Sequence, residues 1–345
     1  MRLIQKNQWE DIVCGANLLG TGGGGTIAGA LSILKKVKQP VILTSIEEFN
    51  DGDLACTVFG VGGKQVCDPI IASRNALSLF QKIIGEKISV IISVEVGPMS
   101  IANTIFISSN LNIPILDSDI VGLRSSPEVF LETISIAGLK RAPCVIADDK
   151  RNNAILRKNI NPKELDKFFR DFAISVGGDA YVAGYPLKIG SLKNIVPKDS
   201  VTISQEIGEH LKKLKTNKIN LKEFCKKTQW VLLDTGQIIE QIKNNTKGFS
   251  EGRYKIKSDK SIFEVLFKNE NLVLLKNNRV ILTCPDSISL LDLDNFEGIN
   301  NFEDNLFKKV AILGKKAIPI WRTSKGKKLF SPKNLGLNYK QTLLK

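Results

Sequence analysis

Histidine is nearly missing from this 345-residue chain, where His210 stands alone, and the six cysteines include no Cys-x-x-Cys pair. Zinc sites of the common kinds are therefore excluded. Cysteines such as Cys14 in Ile12-Val13-Cys14 and Cys284 in Leu282-Thr283-Cys284 read as small buried hydrophobes. Cys67, just past a glycine-rich turn, is the one candidate nucleophile among them. No apolar run approaches the roughly 20 residues of a membrane span. The opening Met1-Arg2-Leu3-Ile4-Gln5-Lys6 lacks the apolar core of a signal peptide, so a cytoplasmic location with no membrane partner is expected. Internal repeats and low-complexity tracts are also lacking.

Charge of one sign is in surplus, at +14 overall, but it is unevenly placed. Residues 1–150 hold 13 Lys and Arg against 15 Asp and Glu, and the remainder holds 36 against 20. The surplus is mostly lysine scattered as in Lys212-Lys213-Leu214-Lys215-Thr216-Asn217-Lys218, without interleaved aromatics to stack on bases. Such a pattern is a solvated face, so no nucleic-acid partner is expected. Nucleic-acid binding would require steeply salt-dependent association.

What the chain does have is Leu19-Gly20-Thr21-Gly22-Gly23-Gly24-Gly25-Thr26. Glycine tolerates positive φ and removes the Cβ, so this loop can bring backbone close to a neighbour or aim N–H groups at an anion. Trp9, Ile12, Val13, Ala16 and Leu19 before it, and Leu31, Ile33, Leu34 and Val37 after it, fall at helical spacing. The loop thus joins two helices, with Thr21 or Thr26 capping the second. Gly20, Gly22 and Gly25 match the dinucleotide spacing, but that fingerprint follows a strand, and the phosphate-loop reading lacks its lysine before Thr26. A tight turn between packed helices is the structural alternative to a site.

Strands are expected at Pro40–Thr44 and Asp53–Phe59, then a second glycine loop, Gly60-Val61-Gly62-Gly63-Lys64, and a helix over Pro69–Ile84. Ile88–Val94 is a continuous apolar run of the kind buried in a parallel sheet. It ends in Glu95, and the next strand, Pro114-Ile115-Leu116, ends in Asp117-Ser118-Asp119. Ala142–Ala147 ends in Asp148-Asp149, and a helix is expected to start near Pro127-Glu128. Ligands of α/β sheets bind beyond the carboxyl ends of strands, so Glu95, Asp117, Asp119 and Asp148 form a candidate cluster. It suits a hard divalent cation or a general base of raised pKa, although each Asp is also a natural helix cap. Asn161–Lys226 reads as helical, interrupted at Gly177-Gly178 and by a connector around Pro186–Pro197. From Trp230 onward short alternating runs predict strands, with turns at Lys243-Asn244-Asn245 and Asn277-Asn278.

Taken together, these stretches resemble the S-methyl-thiohydantoin desulfurase-like family, over nearly the whole chain. The resemblance rests on Gly20-Thr21-Gly22-Gly23-Gly24-Gly25, Glu95 with Asn103, Asp117-x-Asp119 with Gly122, Arg124, Pro127 and Glu128, then Ala147-Asp148. Further on it rests on Gly248-Phe249-x-x-Gly252, Pro285-Asp286 and Trp321-Arg322-Thr323 with Gly326. The chain departs from the family pattern at Thr26-Ile27, Ile120 and Leu123. The resemblance implies a hydrolase that removes a methylthio group from a thiohydantoin ring, in systems where neighbouring enzymes open such cyclic amides.

Two domains are expected: an α/β N-terminal domain with a mixed sheet over residues 1–165, and an α+β, β-rich C-terminal domain over 166–345. A carboxylate among Glu95, Asp117, Asp119 and Asp148 would activate water, alone or through a divalent cation. Amides of Gly22, Gly23, Gly24 and Gly25 would stabilise the anion formed, with Asn103 and Arg124 binding substrate, Arg124 by a bidentate contact to a carboxylate. The sequence leaves metal content and homo-oligomerisation open. The rival expectation is a non-catalytic binding or accessory protein of amino-acid or hydantoin catabolism, which binds its ligand without turnover.

Overall fold

The computed structural model describes residues 1–62, 67–246 and 249–345. The chain begins with β1 (Arg2–Ile4), α1 (Trp9–Leu19), α2 (Ile27–Leu34) and β2 (Val41–Thr44). It continues through β3 (Leu54–Gly62), α3 (Pro69–Ile84), β4 (Val90–Ser93), α4 (Pro98–Leu111) and β5 (Ile115–Asp119). Then come α5 (Thr133–Ala137), β6 (Cys144–Ala147), β7 (Asn153–Leu156), α6 (Pro162–Ser175) and β8 (Asp179–Lys188). Helices α7 (Ile189–Leu192), α8 (Ser200–Lys215) and α9 (Leu221–Thr228) complete this half.

Strands β1 to β8 form one eight-stranded sheet in the order β1-β2-β5-β4-β3-β8-β6-β7. Its centre, β2-β5-β4-β3, is parallel, and its flanks pair antiparallel, which makes the sheet mixed. The apolar run in β4 serves both faces: Ile91 belongs to the core cluster that includes α1 and α4, while Val90 and Ile92 belong to a second cluster that includes Phe169 of α6.

Strand β8 lies beyond residue 165 and yet joins β3 to β6 inside this sheet. Its sequence, read as part of a helical stretch and a connector, holds Gly184 and Pro186, residues that weaken a strand assignment. Both are accommodated. A Cβ on Gly184 would meet Cys144 Sγ at 2.7 Å. The pairing with β3 steps from Leu187↔Ala55 to Gly184↔Thr57, a bulge at Tyr185-Pro186 where proline's missing N–H is not required. No helix starts at Pro127-Glu128 either. That segment forms a turn in which the Glu128 amide donates to Ser126 Oγ, and the helix begins at Thr133.

The second half builds β9 (Val231–Thr246), β10 (Phe249–Lys257), β11 (Ile262–Lys268), β12 (Glu270–Lys276), β13 (Arg279–Thr283), β14 (Ser287–Asp292) and β15 (Lys309–Lys315). These pair antiparallel in the order β13-β12-β11-β10-β9-β15-β14, around a core of Tyr254, Phe263, Val265, Ile288 and Ile312. Helix α10 (Ser324–Leu329) follows, and Trp321 and Phe330 meet edge to face beside it. Asn277-Asn278 makes the expected turn, with φ of 47° and 63°. Lys243-Asn244-Asn245 does not turn, because β9 runs through it. Gly63, Lys64 and Gly248 of the expected loops and motifs lie outside the described residues. Among the described residues no helix is long and apolar enough to cross a membrane.

Candidate functional site at the domain junction

The glycine loop leaves α1 when the Gly20 amide closes the last turn on Ala16 O. Thr21, Gly22, Gly24 and Gly25 then take φ of 53°, 96°, 74° and 87°. This left-handed path turns the loop carbonyls outward, and four of them find partners: Asn271 N donates to Thr21 O, Asn301 N to Gly22 O, Met99 N to Gly24 O and Asn300 Nδ2 to Gly25 O. Three of those donors belong to the second domain. Among the described residues the amides of Gly22, Gly24 and Gly25 donate to nothing. Thr26 then caps α2 by accepting from the Gly29 amide. The loop is therefore both a docking point for the second domain and a set of unspent donors.

Glu95 follows β4 and is half-buried. Its Oε1 accepts from Ser100 Oγ at 2.8 Å and its Oε2 from the Ser126 amide at 3.0 Å. Burial pushes its pKa above the ordinary value, the nearby Asp119 charge adds to this, and the two hydrogen bonds and Arg124 pull the other way. Ser125, the residue before that amide donor, touches the loop: its Oγ would lie 2.5 Å from a Cβ on Gly24, and Gly97 Cα 2.6 Å from it. Glu95 and the glycine loop thus adjoin through Ser125-Ser126.

The other three expected carboxylates have their lone pairs taken by the scaffold. Asp117 accepts from the Val201 and Thr202 amides and from Thr202 Oγ1, capping α8. Asp119 is fully buried and accepts from the Val121, Gly122 and Leu123 amides and from Ser200 Oγ. Burial pushes its pKa up to about 6 against those hydrogen bonds. Asp148 holds the β6–β7 turn through the Lys150 and Asn152 amides and Asn152 Nδ2. No three His, Cys, Asp or Glu side chains converge as a metal site among the described residues. With Asp117, Asp119 and Asp148 engaged in this way, the donor set does not fit a divalent cation.

Arg124 is 1% exposed and stacks on Phe330, with its carbon centre 4.5 Å from the ring centroid. It donates from Nε to Ser125 O at 3.1 Å and from Nη1 to Pro285 O at 2.7 Å, across the domain junction. It forms no ion pair among the described residues, although the charges of Glu95, Glu270 and Asp286 act on it. Asn103 is not at this junction. It lines a separate cleft of about 260 Å³ with Lys36, Cys67, Asp179 and Tyr181. Met99 lines that cleft too and also lies against Gly25. Cys67 Sγ sits 3.4 Å from Asp179 Oδ2, and burial together with that carboxylate pushes the thiol up to about 12. That raise disfavours the thiolate, the reactive form a Cys67 nucleophile would need.

Sequence reasoning missed the second domain's share of the site: Glu270, Asn271, Asn300 and Asn301. Glu270 is 3% exposed and presses on Gly23, where a Cβ would come within 1.9 Å of its Oε1. The available signal was a lone acid opening the apolar strand Glu270–Lys276, whose first six residues are all buried. In the Pro285-Asp286 and Trp321-Arg322 motifs, Pro285 and Trp321 bond across the junction, while the Asp286 carboxylate and Arg322 tie together segments of the second domain. Asp286 accepts from Arg322 Nη1 and from the Ala317 and Leu344 amides, and Trp321 Nε1 donates to Val121 O.

An α/β domain and a β-rich domain that share one glycine loop, with buried acids from both sides, define a two-domain protein whose candidate site is its junction. The chain belongs to the S-Me-THD-like family: the model of the S-Me-THD-like N-terminal domain matches residues 7–158 and that of the C-terminal domain residues 160–343. The chain is also similar to a protein from Chromobacterium violaceum known from an X-ray crystal structure, with a TM-score of 0.84. That match has 17% sequence identity and covers 100% of this chain and 99% of the other, a likeness of fold. Among curated proteins none matches.

Proposed function

We propose that the protein is a hydrolase of a hydantoin- or thiohydantoin-like cyclic amide, with Glu95 as general base and the glycine-loop amides as the anion site. The observation that carries this is the pairing of the half-buried Glu95, whose pKa burial raises, with unspent amides at Gly24 and Gly25, joined through Ser125-Ser126. Of the four carboxylates the sequence points to, Glu95 alone is more than marginally exposed; Asp117, Asp119 and Asp148 are 8%, 0% and 2% exposed.

On an S-methyl-thiohydantoin, ionised Glu95 takes a proton from water as the oxygen bonds to the ring carbon that bears sulfur. The electron pair of the C=N bond moves to the ring nitrogen, where the loop amides face the developing negative charge. Collapse breaks the C–S bond, the departing thiolate recovers the proton from Glu95 as methanethiol, and the added oxygen becomes the hydantoin carbonyl as its proton passes to the ring nitrogen. Arg124, buried and without an ion pair among the described residues, supplies a fixed positive field.

The test is methanethiol release from S-methyl-thiohydantoins, with ring opening of hydantoins followed in parallel. Wild type is expected to turn over at least one of them, and Glu95→Gln to lose on the order of 10²- to 10⁴-fold in kcat. Saturable binding without turnover would transfer the same residues to a non-catalytic accessory protein.

A further inference from the structure

Glu270 opens β12, in the second domain, and is unusual among the buried acids because its Oε2 has no hydrogen-bond partner among the described residues. Its Oε1 rests on Gly23, the centre of the glycine loop. Two charged groups act on it across the junction, Glu95 and Arg124. Behind Arg124 stand Cys284 and Asp286, and Asp286 is paired to Arg322. Lys268, two residues before Glu270, is bound to Glu128. The junction therefore places two carboxyl groups, one from each domain, around a single buried guanidinium.

We propose that Glu270 is a positioning residue of the glycine-loop site, supplied by the second domain, and that it serves only as the neutral acid. This rests on the reading of the loop as an anion site. A carboxylate pressed on Gly23 would set negative charge beside the amides that have to receive it, and would compete with Glu95 for Arg124. A neutral carboxyl fixes Gly23 by contact and leaves the Arg124 field to Glu95. Burial and the Glu95 charge both favour the protonated form, and an unpartnered Oε2 is far cheaper to bury neutral than ionised.

The experiment compares full-length wild type, Glu270→Gln and Glu270→Ala by pH–rate profile on the methylthio substrate, and by the infrared carbonyl band of neutral carboxylic acid in substrate-free protein. Wild type should lose activity on the alkaline side as Glu270 ionises. Glu270→Gln keeps the shape and the neutrality, so it should match wild type within a few-fold at neutral pH and lack that alkaline loss. Its acid limb, set by Glu95, should not move. Glu270→Ala should lower kcat by on the order of tenfold or more, with KM little changed, because the loop loses its support. In the infrared, a neutral-acid band at neutral pH should vanish in Glu270→Gln. An alkaline limb that survives Glu270→Gln, or a carboxylic-acid band unaffected by it, overturns the proposal. Should wild type turn over none of these rings, the hydrolase reading fails, and the band alone then decides for or against neutral Glu270.

Discussion

At the scale of single residues, carboxylates that look alike in sequence divide by how their lone pairs are used. Glu95 accepts two hydrogen bonds and is half-buried, whereas Asp119 accepts four and is sealed. The sign of the pH effect follows. Glu95 must be ionised to act as a base, and burial raises its pKa, so activity should fall toward acid at a pH above that of an ordinary glutamate. A pH–rate profile of kcat/KM that stays flat down to the normal glutamate range would remove Glu95 from the role. Asp119→Asn tests the structural role instead: an amide cannot accept from four donors at once, so a loss of about 1–3 kcal/mol in unfolding free energy is expected by denaturant titration. The acidic strand ends were legible because the run before each one is apolar and short. Which of them remain available was not legible, since the amides that engage Asp117 come from α8, over 80 residues further along the chain.

At the scale of elements, the glycine loop shows why substitutions in it differ. Gly24 has φ of 74° and Gly97 Cα would lie 2.6 Å from its Cβ, so Gly24→Ala strains the backbone whatever the loop does chemically. Gly23 lies outside the left-handed region, and the three atoms nearest a Cβ there all belong to the Glu270 side chain. Gly23→Ala is therefore expected to cost about 1–3 kcal/mol of stability in the wild-type background. Much of this should return in the Glu270→Ala background, with a coupling of at least about 0.5 kcal/mol. Additive losses in a double-mutant cycle by thermal unfolding would show that Glu270 is not what excludes a Cβ there. The helices around the loop were readable from their spacing, and α3 occupies the expected Pro69–Ile84. Strand β8 was not readable, because Gly184 and Pro186 are each explained only by a neighbour, Cys144 in one case and the bulge opposite β3 in the other.

At the scale of the whole molecule, the first sheet needs chain from well beyond its parallel centre. Without β8 the β6–β7 hairpin has no strand to join it to β3. A fragment of residues 1–158 is therefore expected to lack cooperative unfolding by circular dichroism, while a fragment of residues 1–230, which contains β8 and the α8 that packs on α1, should unfold cooperatively. A cooperative transition in the shorter fragment would mean that the parallel centre is self-sufficient.

The late arrival of β8 also bears on synthesis. β3 ends at Gly62 and its partner strand begins at Asp179. At roughly 5–20 residues per second, the ribosome leaves that strand waiting on the order of ten seconds. Once β4 has emerged and paired with it, β3 forms an open sheet edge whose N–H and C=O groups stay unpaired on one side until β8 follows, the template on which neighbouring chains assemble. The longer that edge stays unshielded before residue 188 emerges, the lower the yield of folded protein expected from a crowded polysome.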